Sequence, residues 1–511
     1  MKYTGMNRRE AIRALASASL VGFVPAAPGI AGHSKMPAPG LSDSVLKSVR
    51  ETVERGLARG TAVGVAIAVV NGDRIVWEEG FGWADREAKR RVTVRSPFSL
   101  QSVTKPFTTT LLATFAAAGQ LRLDGPANHY LGANQIASTN GDAEKITVRL
   151  LGAHASGLPA LYQSLYGGVP SPSAATLLEK YGRLAFPPNR VWEYSNVAYD
   201  ALGAIAVNLA PADYGQLMAQ RVLDPLGLRD SFWDTNRARV AASVARYDPA
   251  GQKIPYYVTT TPPSGELFAS VHDLARFAMW NMKMPLGDGA ALLNAHWLDE
   301  LHQPAFTALD GRASTFGWAL DHLKSGEAVL HKNGGGEGVT TIICLIPERK
   351  IACVVLANGQ YAEEFTHNEI CGQILKSYVP DWTTMPEENR EPARKPFVLN
   401  DAMAGRWQGA LANNGLSLPV QLEVTSSETA SLRIGSYPAE PVTHLETEGA
   451  ALVGNSQGLI DTSEALLVAN KSLQLKVVRM GDKLVGRVIA LGGPVDQPLL
   501  ALPFVISMSR Q

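Results

Sequence analysis

In the segment QSVTKP, Ser102 and Lys105 stand three residues apart where an apolar helix begins. Positions i and i+3 share a helix face, so the hydroxyl and the amine would lie side by side. A serine hydroxyl is a poor nucleophile at neutral pH until a partner takes its proton. A lysine kept neutral by burial and nearby positive charge can be that partner, whereas a lysine on a wet face cannot. The helix N-terminus adds positive potential at both residues, and Pro106 suits a first turn, where its missing N–H costs little. Two further segments carry chemistry. VWEYSN supplies Tyr194 and Asn196 after Pro187-Pro188, and VLHKNGGGEG supplies Lys332, Asn333, Gly334 and Gly335 entering a β-strand, with His331 just before them. Taken singly, these residues also read as a helix-start turn and a solvated strand end.

Competing sites are weaker. GNSQG, residues 454–458, matches G-x-S-x-G, but that motif needs a strand-turn-helix setting and a later acid and histidine. It lies in a β-rich tail after the last histidine, His444, and reads as a turn between strands. The glycine-rich NGGGEG lacks the Lys-Ser/Thr ending of a phosphate loop, and neither HExxH nor a Cys-x-x-Cys pair is present to hold zinc. No metal and no cofactor is expected. The three cysteines, Cys344, Cys353 and Cys371, form no disulfide framework. If Glu348 and Arg349 tip the turn in TIICLIPERKIACVVLANG, Cys344 faces Cys353 across a hairpin, as buried thiols in the plainer reading or as a disulfide in an oxidising compartment.

The elements that must position these residues follow from periodicity. LSDSVLKSVRETVERGLARG is an amphipathic helix, and two β-rich runs flank Asn71-Gly72, a hairpin signal. Residues 100–300 are mostly helical pattern, with Ser270 able to cap one helix and Asp273 in its first turn. β-Rich runs return at 326–358, followed by a helix near 362–378. Strands at both ends with helices between predict one α/β domain whose sheet joins sequence-distant segments. Residues 380–399, with Pro380, Pro386, Pro392 and Pro396 among charges, read as a linker. Residues 400–511 are short alternating runs divided by Gly, Asn and Asp, an all-β barrel or sandwich.

The order S-x-x-K, Y-x-N and Lys-Asn-Gly on a strand resembles the serine β-lactamase and penicillin-binding superfamily, most closely its class C branch with related esterases, D-aminopeptidases and DD-peptidases. FSLQSVTKPFTTTLLATFAAAGQLRLDGP, ITVRLLGAHASGLP, VLDPLGLRDSFW, FGWAL and IPERKIACVVLANG are similar to segments of that family, and the likeness runs over about residues 45–378. It implies a β-lactamase/transpeptidase-like domain over 40–379, with an antiparallel sheet flanked by helices and a helical region. It also implies roles. Ser102 attacks a carbonyl and is acylated, and Lys105 helps to deprotonate it. Tyr194, between two cations that favour a phenolate, shuttles the proton to the leaving group and later activates water. Asn196 bonds Lys105 and substrate, and Lys332 holds Tyr194 or a substrate carboxylate. The backbone N–H groups of Ser102 and Gly335 form an oxyanion hole beside Asn333 and Gly334. Asn333 departs from the Thr or Ser of the third motif, and an amide is larger than a hydroxyl and differently placed for a substrate carboxylate. His331 is the alternative group here, since a one-residue shift of register would exchange it with Lys332.

The chain has 511 residues, more than one core accommodates, and its 46% hydrophobic and 18% charged residues fit a folded protein. A formal net charge of zero gives no pull toward nucleic acid or anionic membranes. Arg8 and Arg9 precede a short apolar run, Ala14 to Val24, too short to span a bilayer. Residues 1–31 therefore read as an export signal resembling a twin-arginine signal, with cleavage after Ala26 or near Ala31 and a periplasmic or secreted product. No later run is apolar and long enough for a membrane helix. The expected function is an exported serine hydrolase cleaving an amide, a peptide before a β-lactam, with carboxylesterase activity as an alternative. A non-catalytic protein that binds peptidoglycan or a partner is the rival from another class.

Overall fold

The computed structural model describes residues 40–511 apart from 61, 287–291, 310, 360–366, 383–393, 414, 461–471 and 493–499. The expected export segment, 1–31, lies outside the described residues. The run GVAIAVVN forms the strand Gly64–Asn71, buried on both faces. Its alternate residues supply two cores: Val65, Ile67 and Val69 face one, Ala66, Ala68 and Val70 the other. This strand pairs with Arg74–Asp85 through the Gly72 turn and, on its other edge, with Ile351–Ala357. Nearly 300 residues separate the latter partners, as the distribution of β-rich runs predicts. The sheet continues through Val339–Ile346 and Ala328–Gly336 to shorter outer strands, nine in all and antiparallel.

One face is covered by helices Asp43–Arg59 and His367–Tyr378, through Val49, Val53, Ile370 and Ile374. Cys344 and Cys353 are register partners at this face, and they and Cys371 are free, buried thiols. The other face meets a helical region that includes Lys105–Ala117, Asn196–Leu209 and Val271–Asn281. Phe107 stacks on Phe277 at 3.8 Å between ring centroids, tying the first of these helices to the third. Ser270 caps the third helix by accepting from Asp273 N.

Eight strands between Gly405 and Arg510 form the C-terminal all-β barrel. It closes because the first strand, Gly405–Asn413, pairs with the last, Leu500–Arg510. Closure removes the unpaired edges that an open sheet would carry. Part of the expected linker also belongs here: Lys395 and Pro396 pair with Thr447 and Glu446, and Phe397 is buried. GNSQG is not a turn. Residues 454–457 lie within the strand Ala451–Gln457, and Ser456 Oγ donates to the Pro441 carbonyl. Gly454 is a packing choice, since a Cβ there would stand 2.5 Å from Val442 Cγ1.

The barrel packs on the helical region. Val478, Val485 and Val505 meet Ala185 and Phe186 in a small apolar cluster, and Asn140 Nδ2 donates to the Ile506 carbonyl at 2.8 Å. No described helix is long and apolar enough to cross a membrane.

Candidate active site

Ser102 sits in a single 3₁₀ turn, Gln101–Thr104, that runs directly into the helix beginning at Lys105. Gln101 before it has φ of +49°, a left-handed conformation uncommon for a residue with a side chain. The turn and helix place Lys105 Nζ 3.1 Å from Ser102 Oγ, on the face the spacing predicts. Lys105 is fully buried and also donates to the Ser264 carbonyl at 3.2 Å.

Tyr194 approaches from the other side. Its hydroxyl donates to Ser102 Oγ at 2.7 Å. Lys105 Nζ and Lys332 Nζ lie 4.8 and 5.2 Å from its ring centroid, so the phenol stands between two cations. Ser195 holds the turn: its Oγ accepts from Ala198 N as the cap of helix Asn196–Leu209 and donates to the Pro159 carbonyl. His154, fully buried, accepts from Ser195 N at Nδ1 and lies 4.3 Å from the Tyr194 ring. Burial, then Lys332 and Lys105, keep His154 well below its ordinary pKa of 6.5, so its Nδ1 stays available to accept from Ser195 N. Asp200, one turn beyond Asn196, is raised well above its ordinary value by burial, against a smaller pull from Lys105.

The strand Ala328–Gly336 forms the third side. Gly334 lies so close to the Ser102 turn that a Cβ would meet the Leu100 carbonyl at 2.2 Å and Ser102 N at 3.2 Å. Only glycine brings this strand edge beside Ser102. Gly335 and Ser102 both line a cavity of about 220 Å³, with Gln101, Leu161, Tyr162 and Tyr194. Asn333 is buried in register with Ile342. His331 is drawn elsewhere: its Nε2 pairs with Asp321 at 2.8 Å, and in register it faces Cys344, while Lys332 takes the place over Tyr194. Asn196 lines the cavity but does not bond Lys105; Nδ2 donates to the Leu161 carbonyl at 2.8 Å and buried Oδ1 has no protein partner.

The sequence model of the Beta-lactamase family matches residues 49–370. The chain belongs to this family. Its members are serine hydrolases. A beta-lactamase of Pseudomonas fluorescens is 25% identical over 323 residues, covering 55% of this chain and 84% of that protein. An unguisins hydrolase of Aspergillus campestris is 25% identical over 334 residues, which span 60% of each protein. In fold, the chain is similar to the octameric penicillin-binding protein homologue from Pyrococcus abyssi, with a TM-score of 0.56 at 19% identity over 90% of this chain and all of that one. It is also similar to the D-alanine carboxypeptidase AmpC from Burkholderia cenocepacia, with a TM-score of 0.56 at 21% identity over 66% of this chain and 99% of that one.

For a beta-lactamase family member, the three motif segments were the legible part of the site. Sequence reasoning missed His154, whose segment it quoted, and the left-handed Gln101. It also missed the barrel's share: Ala501 lines the same cavity as Ser102. Ala501 pairs with Tyr162 across 339 residues of sequence, a contact that no local pattern announces.

Proposed function

We propose that this family member is an exported serine hydrolase that cleaves an amide through an acyl-enzyme on Ser102, with peptides preferred over β-lactams and esters. The observation that carries the reading is the convergence of Tyr194 Oη and Lys105 Nζ on Ser102 Oγ, at 2.7 and 3.1 Å. Both are within reach for direct proton transfer. As drawn, Ser102 Oγ accepts from both; loss of one proton from the Tyr194–Lys105 pair reverses one contact and activates the hydroxyl. Ser102 Oγ then bonds the substrate carbonyl carbon while its proton passes to the pair. The C–N bond breaks and the departing amine takes that proton from Tyr194. A water gives a proton to Tyr194 and adds its oxygen to the acyl carbon, and Ser102 leaves with the proton restored. Backbone N–H groups of Ser102 and Gly335 hold the oxyanion. Asn333 in place of a hydroxyl residue alters the usual partner of a substrate carboxylate, which counts against efficient β-lactam hydrolysis.

The test is labelling with fluorophosphonate and penicillin probes, with the adduct located by mass spectrometry. Turnover is then measured on nitrocefin, p-nitrophenyl esters, D-amino-acid amides and short linear peptides. An adduct on Ser102, with peptide or amide turnover exceeding nitrocefin turnover, is expected. Ser102→Ala should lower turnover about 10⁴-fold or more. Absence of any adduct from either probe sinks the covalent mechanism. Export is checked by N-terminal sequencing of the mature protein, with a start after Ala26 or near Ala31 expected.

A further inference from the structure

Glu193 precedes Tyr194 by one peptide bond, and its carboxylate is held by the barrel. Lys476 Nζ donates to Glu193 Oε2 at 2.9 Å, and Arg487 Nε donates to Oε1 at 2.7 Å. The same ammonium donates to Glu448 Oε1 at 2.9 Å and to the Trp192 carbonyl at 3.0 Å. Arg312, from the sheet domain, reaches Glu448 at 3.2 Å and lies over the Trp192 ring. The side chains of Glu193 and Lys476 are only 4% and 3% exposed. Burial pushes the Glu193 carboxyl up, but Arg487 and Lys476 outweigh it and hold the group below its ordinary pKa. A buried ionic cluster is weak evidence for stability, yet it fixes geometry, because no member can move without leaving a bare charge. One ammonium thus holds the Trp192 carbonyl and the Glu193 side chain ahead of Tyr194, while His154 and Ser195 hold the backbone behind it.

A second contact joins barrel and cavity. Leu500 and Ala501 pair with Gln163 and Tyr162, and the strand Tyr162–Leu165 pairs in turn with Val258–Thr259. Tyr162, Thr259 and Ala501 all line the Ser102 cavity.

We propose that the barrel is a working part of the Ser102 site, with Lys476 and Arg487 positioning Tyr194 through Glu193 and the strand at Ala501 setting the width of the cavity. The catalytic part of this proposal rests on the hydrolase reading above. Tyr194 transfers the proton, and a small displacement of its hydroxyl costs rate rather than binding.

The experiment compares the full-length parent with Lys476→Met, Lys476→Arg and Glu193→Gln. Its readouts are kcat and KM on p-nitrophenyl butyrate, amide hydrogen exchange over residues 190–198, and thermal melting. Lys476→Met should lower kcat at least tenfold with KM within threefold, and speed exchange in 190–198. Lys476→Arg should recover most of the lost kcat. Glu193→Gln keeps the side-chain shape and should move both readouts in the same direction, which decides the matter if Lys476→Met does not fold. Ala501→Leu should raise the ratio of KM for butyrate over acetate at least fivefold. Folded Lys476→Met and Glu193→Gln proteins with kcat within twofold of the parent and unchanged exchange would overturn the proposal. A parent that neither turns over ester nor takes a fluorophosphonate adduct counts against the hydrolase reading alone, and the exchange measurement still decides the clamp.

Discussion

Tyr194 and Glu193 are consecutive residues that serve two polar sites built on opposite plans. Around Tyr194, two ammonium groups, a phenol and a serine hydroxyl converge, and buried Asp200 is held toward its neutral form. The hydroxyl, the phenol and the amine are within hydrogen-bond distance of one another through Ser102 Oγ. Around Glu193, two carboxylates meet Lys476, Arg487 and Arg312 in direct ion pairs. There, each carboxylate is paired with two cations, so the acids are compensated and protons have nowhere useful to go. The contrast teaches that burial alone does not make a reactive group. What matters is which groups each buried side chain meets.

The largest expected effect breaks the reactive side. Tyr194→Phe removes the phenol that contacts Ser102 Oγ and should lower kcat on p-nitrophenyl butyrate by about 10²–10⁴-fold, with circular dichroism unchanged. A loss under tenfold would move the proton-transfer role to Lys105. On the compensated side, Arg487→Met removes one cation from a buried carboxylate and should cost about 3 kcal/mol in urea unfolding. A cost below about 1 kcal/mol would mean that the barrel docks by its apolar cluster alone.

Glu266 sharpens the comparison, because it is the same kind of side chain shifted the opposite way from Glu193. Burial first, then Asp234, raise it from 4.5 to about 7. Between those values the folded protein holds a proton that the unfolded chain has released, so stability falls as pH rises through that window. Glu266→Gln removes this titration. The variant should gain about 2–3 kcal/mol on the parent between pH 4 and pH 8, read from urea midpoints. A pH-independent difference would rule out Glu266 as the source. The smallest effect is expected on the barrel's solvent-exposed surface, where Arg406 pairs with Glu423 at 3.1 Å with half its surface in solvent. Arg406→Ala should change stability by no more than about 0.5 kcal/mol.

The sequence made the reactive side legible because its residues sit at spacings that secondary structure enforces. Ser102 and Lys105 share a helical face, and a strand carries Lys332 and the glycines that let it approach. The large sheet was legible too, from β-rich runs at both ends of the domain. The compensated side was not. LQLKVVRM reads as an alternating strand with Lys476 pointing out, and it does point out of the barrel. Lys476 is buried because another part of the chain lies over that face. The adjacent valines, Val477 and Val478, were the signal, since two successive apolar residues in a strand ask for cover on both faces. GNSQG misled because its glycine was assigned to a bend, when it makes room for Val442.

The pairing of Ala501 with Tyr162 also sets a timetable for synthesis. At about 5–20 residues per second, ribosomes make the strand around Ala501 roughly 20–70 seconds after Tyr162. Between the synthesis of Tyr194 and that of Lys476, the nascent chain carries Ser102, Lys105 and Tyr194 but lacks one wall of the cavity and both cations that grip Glu193. A growing polypeptide therefore carries an incomplete Ser102 cavity until the last strand of its barrel has been made.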